Sequence, residues 1–298
     1  LEKLTLGMDL RVRVEESNYD DGWGEVAVAT TTGIRESGRG NSCYVSVSTL
    51  ADDGDETQTG FSFSVGDSPK EFNLPKAARE AAERATRLLG AVKPPSKRTT
   101  VVLDPMVTSQ FLGIIGSTLN GESVVKGRSL FANRLGEAVA SPLITLVDDP
   151  TDSRAYTASE IDSEGLAARR NVLIKDGVLQ SLVQTRASAK LTSLPYTPFG
   201  DNLIMSVDGG SGKLEDLVKK VDNGLLLTTL WYIRMVDPNS LLLTGLTRDG
   251  VYFVKNGEVQ GATNNFRWND SPVSALSRIA HAGATEWTQP REWAGDMT

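Results

Sequence analysis

The sequence predicts an α+β fold built mostly on antiparallel sheets with packed helices. Three observations lead there. Segments of the first third alternate apolar and polar residues with period 2, as half-buried strands do. Two later pairs of apolar segments flank Asp176-Gly177 and Asn256-Gly257, dipeptides that favour two-residue hairpin turns because both positions accept positive φ. An amphipathic helix with an alanine-lined face separates the early strands from the rest.

In chain order, residues 9–15, 25–30 and 44–48 are predicted strands of an antiparallel meander. Gly- and Asp-rich turns are expected between them, at Asp20-Asp21-Gly22 and at Asp52-Asp53-Gly54-Asp55. A helix follows, with Pro75 in its first turn and Gly90 as its stop. Ala78, Ala81, Ala82, Ala85, Leu88 and Leu89 share one face, which implies close packing on a sheet. Pro94-Pro95 breaks that pattern and marks a domain boundary, dividing an N-terminal α+β domain (1–93) from a C-terminal domain (94–298).

The C-terminal region opens with a predicted strand at 99–103 and a turn at Asp104-Pro105. A helix over 107–119 would turn Phe111, Leu112, Ile114, Ile115 and Leu119 inward, although Gly113 and Gly116 weaken it. Residues 120–129 are polar and read as an exposed loop. A buried strand at 143–147 ends in Asp148-Asp149-Pro150, and the hairpins pair 171–175 with 178–182 and 251–255 with 258–259. Short helices are expected over 211–223 and 272–282, and central strands over 225–233 and 241–243.

Composition narrows the chemistry. The chain has 298 residues, 23% of them charged, and a formal net charge of −7. That balance argues against general nucleic-acid or anionic-membrane binding, and no apolar run approaches the ~20 residues of a membrane-spanning helix. Cys43 is the single cysteine and His281 the single histidine. One cysteine excludes an intrachain disulfide framework and a Cys-rich zinc site, and makes a reducing cytoplasm the expected compartment. One histidine excludes any zinc site on this chain built from two. Gly209-Gly210-Ser211-Gly212-Lys213 imitates a phosphate loop, but Leu214 stands where Ser or Thr is required. His281 remains a possible general base, and Asp148 with Asp149 a possible metal-binding pair, against the simpler readings of a structural histidine and a strand-end turn.

Several longer stretches resemble the TldD/PmbA (TldD/TldE) family of metallopeptidase subunits. They are residues 119–131, which contain Asn120-Gly121-Glu122 and Lys126-Gly127-Arg128, residues 134–149, which open Arg134-Leu135-Gly136-Glu137, and Asp162-Ser163-Glu164-Gly165 followed by Arg169-Arg170-Asn171-Val172-Leu173-Ile174, with Gly224-Leu225-Leu226-Leu227 and Thr244-Gly245-Leu246-Thr247-Arg248-Asp249-Gly250-Val251 resembling less standard members. Each alone is weak; their order and combination are specific. The resemblance implies two α+β parts, a β-rich C-terminal part carrying the site, and a dimer of related subunits of which one holds zinc. In the zinc-bearing subunit a His-Glu-x-x-x-His helix and a distal Cys bind the metal. Aligned on Gly121 and Lys126-Gly127, those helix positions fall on Leu112, Gly113 and Ser117 here, and the segment 285–291 has no Cys. The resemblance is therefore to the PmbA/TldE type, which lacks the zinc motif. The chain is also shorter than family members usually are, so the N-terminal domain is expected to be incomplete.

The expected function is that of a non-catalytic, metal-free subunit that shapes the substrate channel of a heterodimeric zinc peptidase. No catalytic residue and no cofactor is then expected on this chain. Zinc is expected on a TldD-like partner, and the substrate is a peptide. Glu122, Lys126, Arg128, Arg169, Arg170 and Asn171 are the polar candidates for substrate or partner contact, against the simpler reading of solvated loop residues. The alternatives are a stand-alone amide hydrolase using His281 and a homodimeric peptide-binding scaffold.

Overall fold

The computed structural model describes residues 1–155, 158–198, 200 and 202–288. The chain begins with helix α1 (Glu2–Leu6), strands β1 (Val12–Ala29), β2 (Arg35–Asp53) and β3 (Glu56–Gly66), and helix α2 (Leu74–Thr86). After β4 (Thr100–Leu103) come α3 (Pro105–Thr118), α4 (Gly121–Val125), β5 (Ile144–Asp148), β6 (Asn171–Lys175), β7 (Val178–Leu179) and α5 (Arg186–Thr192). The last third holds β8 (Leu203–Val207), α6 (Leu214–Val218), β9 (Asn223–Leu227), β10 (Leu230–Asp237) and β11 (Leu242–Thr247). It ends with β12 (Val251–Lys255), β13 (Glu258–Ala262), β14 (Arg267–Asp270) and α7 (Pro272–Leu276). Among the described residues the strands form four sheets, ordered β1-β2-β3, β10-β11-β14, β13-β12-β9-β4 and β7-β6-β5-β8. Every pairing of strands is antiparallel except β4 with β9. The fold is α+β with mostly antiparallel sheets.

The first sheet departs from the expected meander. β1 runs unbroken through Asp20-Asp21-Gly22, which pair with Tyr44, Cys43 and Ser42 of β2. Its side chains are exposed along nearly the whole strand, so neither face demands apolar alternation, and the backbone ladder alone carries the strand across the polar stretch. The turn lies instead at 30–34, where Gly33 has φ +99°. β3, absent from the prediction, pairs with β2 only from Cys43 to Asp53. The outer part of β1 and β2 is therefore a two-stranded arm.

Helix α2 caps this sheet where expected. The Asn73 side chain accepts the Lys76 N–H at 3.1 Å, Pro75 sits in the first turn, and Ala77, Ala78, Ala81, Ala82 and Ala85 are buried. Small side chains let the helix lie almost on the strands. Thr49 Oγ1 donates to the Ala81 carbonyl at 2.9 Å. A Cβ placed on Gly60, the cross-strand partner of Thr49, would collide with the Ala81 carbonyl oxygen and lie 2.6 Å from Ala85 N.

In the C-terminal region, Asp104 joins β4 to α3 by capping the helix, accepting the Met106 N–H at 2.8 Å. Both hairpins have the expected turn, with φ +49° and +76° at Asp176 and Gly177, and +53° and +77° at Asn256 and Gly257. The expected strand 225–233 divides at Thr228-Thr229, because β9 pairs with β12 and β4 while β10 pairs with β11. The expected loop 120–129 contains α4, capped by the Asn120 side chain. The helices expected over 211–223 and 272–282 shorten to α6 and α7, and α5 was not expected.

Two measurements follow from this packing. Gly60→Ala is expected to cost about 1–3 kcal/mol through overpacking against α2, whereas Gly40→Ala in the exposed arm is expected to stay within about 0.5 kcal/mol, both read by denaturant unfolding. Burial holds the Asp104 carboxyl above its ordinary pKa, so its charged form opposes folding once pH rises past the unfolded value and fully above the raised folded one. Asp104→Asn keeps the cap acceptor and removes that charge. It is expected to raise the melting temperature at pH 7, with the gain vanishing as pH falls below the ordinary carboxylate range.

Candidate functional site

Helix α3 organises the site. Ile114, Ile115 and Leu119 enter the main C-terminal core beside Phe131, Leu146 and Leu173. Val107 enters a second cluster with Leu225, Leu227, Leu230 and Val251, against which Phe111 packs, its ring 5.7 Å from that of Trp268. Gly116 permits close approach of Leu203 on β8. These contacts fix the rotation of the helix and place Leu112 and Gly113 on the wall of a cleft of about 1970 Å³.

Three strands that end their sheets line the same cleft: β4, β8 and β14. The edge of β8 is partly covered by the segment 282–285. Ala282 and Ala284 bond the backbone of Ser211 and Gly212, and Thr285 Oγ1 donates to the Met205 carbonyl at 3.1 Å. Trp287 continues this segment and holds the Arg154 guanidinium 5.1 Å from its ring centre, while Asp152 pairs with the same guanidinium at 2.7 Å. The Arg154 hydrogen bond pulls the Asp152 carboxyl down to about 2. His281 also lines the cleft.

The six polar candidates read from the sequence lie elsewhere; none lines the cleft. Glu122 and Lys126 form an exposed ion pair one helical turn apart on α4, and the Lys126 hydrogen bond lowers the Glu122 carboxyl. Arg128 is exposed just beyond it. Arg169 donates to the Tyr196 carbonyl at 2.6 Å, and Arg170 lies 3.6 Å from Asp149. Asn171 is buried, its amide donating to the carbonyls of Pro198 at 2.8 Å and Arg169 at 3.0 Å. Asp148, fully buried, accepts the N–H groups of Asn202 at 2.9 Å and Gly200 at 3.0 Å, with the Asn171 amide at 3.3 Å. Asp149 instead accepts from Thr151. The two carboxylates thus serve separate loops.

The stretches that carry the family resemblance are local structural devices. Asp162 accepts the N–H groups of Glu164 and Leu166, and Gly165, at φ +76°, sits under Val28 and Ile34 from the arm. A Cβ on Gly121 would collide with Gln184.

The three positions aligned with the zinc helix do not fit a metal. Leu112 offers no donor atom and Gly113 no side chain. Ser117 is exposed, does not line the cleft, and donates its hydroxyl to the Ile114 carbonyl at 2.7 Å. Cys43 lies in β2, buried, with its thiol against the Gly66 carbonyl. Among the described residues no three His, Cys, Asp or Glu side chains are grouped to hold a metal ion. Gln289, Pro290 and Arg291 of the aligned C-terminal segment lie outside the described residues.

What the sequence reading missed is the charge gathered at the cleft from Lys93, Lys97, Arg98, Lys213 and Arg267. Three of these flank Pro94-Pro95, a basic cluster on an acidic chain that was legible but read only as a boundary.

Comparisons with known proteins agree with this fold. Residues 96–294 match the PmbA/TldA metallopeptidase C-terminal domain, and residues 2–89 match the central domain of the same family. The chain is 27% identical to the Metalloprotease TldD homolog of Buchnera aphidicola subsp. Acyrthosiphon pisum, over 93% of this chain and 62% of that protein. It is 21% identical to Metalloprotease PmbA of Escherichia coli O157:H7, over 87% of this chain and 58% of that protein. The chain thus spans less than two thirds of the length of these relatives. The crystal structure of TldE from Thermococcus kodakarensis superposes with a TM-score of 0.85 at 20% identity, covering 95% of this chain and 66% of that one. No helix among the described residues is long and apolar enough to cross a membrane. With both family models matched in order along nearly the whole chain, the protein belongs to the PmbA/TldD metallopeptidase family.

Proposed function

We propose that this chain is the metal-free, non-catalytic subunit of a heterodimeric zinc peptidase. It forms part of the substrate channel and supports a zinc-bearing TldD-like partner in hydrolysing peptide bonds in the cytoplasm. The observation that carries the reading is the cleft wall on α3, which includes Leu112 and Gly113, the residues that the family resemblance aligns with the first zinc-binding His and the Glu. A metal-bound water needs donor ligands and a base, and Leu112 and Gly113 supply neither. The peptide runs through the cleft in extended form, where the β4 and β14 edges offer main-chain hydrogen bonds. The division into 1–93 and 94–298 belongs to the same reading, supported by the separate family-model matches.

A second reading, a stand-alone amide hydrolase, draws on the presence of His281 in the cleft. A catalytic base is normally oriented by a third group. Among the described residues no hydrogen bond or ion pair orients His281, so the subunit reading is favoured.

Co-expression with a relative carrying His-Glu-x-x-x-His, followed by native mass spectrometry and zinc determination, separates the two. The expected result is a one-to-one mixed species with zinc, whose peptidase activity survives His281→Ala on this chain. A metal-free homodimer whose own amidase activity is lost in His281→Ala would contradict the subunit reading.

A further inference from the structure

We propose that the cleft selects extended peptide segments rich in aspartate and glutamate. This rests on the peptide-channel reading above and adds a substrate class to it.

The charge is concentrated against the trend of the chain. The protein as a whole carries −7, yet Lys93, Lys97 and Arg98 ahead of β4, Lys213 before α6 and Arg267 on β14 all line one cleft. None of these five forms an ion pair with another described residue. The lining carboxylates are Asp270 and Glu286, and Asp270 is already paired with Arg278 at 2.6 Å. The cations therefore lack internal ion-pair partners, Arg267 donating only to the Thr244 hydroxyl at 3.1 Å, and all five are exposed, so their charge is open both to a ligand in the cleft and to screening by salt.

The shape of the cleft selects a chain over a small molecule. Its volume of about 1970 Å³ exceeds the ~1,000 Å³ at the upper end of small-ligand pockets. A strand added at β4 would run beside Lys97 and Arg98, presenting every second side chain to the same wall. Nucleic acid is disfavoured: it requires a continuous basic stripe over an extended face, whereas here the cations ring a cleft with apolar walls such as Val101, Leu214 and Phe253.

The test is fluorescence anisotropy with rhodamine-labelled peptides of about ten residues, long enough to cross the cleft extended. They are matched in apolar content and carry glutamate, glutamine or lysine at alternate positions. Each is titrated against this chain alone and against its complex with the zinc-bearing relative. The glutamate peptide is expected to bind roughly tenfold more tightly than the glutamine peptide at low salt, with the advantage shrinking as sodium chloride is raised. Lys97→Glu with Arg98→Glu is expected to abolish the preference at unchanged melting temperature. Equal affinity for all three peptides, no binding of any, or tighter binding of an oligothymidylate would overturn the proposal. A preference for glutamate in a chain that forms no zinc-bearing complex supports the charge selection and removes the subunit reading. A zinc-bearing complex indifferent to peptide charge does the reverse.

Discussion

The burial of helix α3 is the constraint on which the site depends. Its apolar residues are committed to two separate cores, Val107 and Phe111 to one and Ile114, Ile115 and Leu119 to the other. A helix anchored at both ends cannot rotate without exposing several large side chains, each worth about 1.5–3 kcal/mol of burial. The residues that α3 turns to the cleft are fixed with it, Leu112 and Gly113 among them. The same rotation in a chain with histidine and glutamate at those positions would present metal chemistry to the cleft. Here those two positions present no donor atom. The difference between a metal-ligating wall and one without donors at those positions is thus one of side chains on a common scaffold.

The N-terminal sheet is held between α2 and the C-terminal region. On one side the alanine face of α2 lies so close that Gly60 and Thr49 are required beneath it. On the other, Thr59 hydrogen-bonds Asp249, and Phe61 and Phe63 border Met106 at the start of α3. Leu88, just beyond α2, joins a cluster with Val102, Leu226 and Tyr252, and Arg87 lies 4.8 Å over the Tyr252 ring. These contacts tie the position of β4, and with it one edge of the cleft, to the N-terminal sheet.

Much of this fold was legible in the sequence wherever local chemistry decides. Pro75 sits in the first turn of α2 and alanines shape its face. Asp176-Gly177 and Asn256-Gly257 accept the positive φ that their hairpins need. Elements decided by distant partners were less legible. β1 crosses Asp20-Asp21-Gly22 because β2 supplies its ladder, and 225–233 divides because its halves belong to different sheets. That Leu112 and Gly113 carry no donor atom is a property of the sequence itself. The cleft could not be read there, because Lys97, Lys213 and Arg267 are brought together only by packing. Asn171, a polar residue in a family-like motif, is a buried tie between β6 and the segment around Pro198, a packing role that its residue type alone does not disclose.

The location of zinc in the assembled protein tests the central claim most directly. Anomalous diffraction at the zinc edge, on crystals of this chain with a His-Glu-x-x-x-His relative, is expected to show the metal on the partner's helix alone. Ordered zinc bound by residues of this chain would contradict the account.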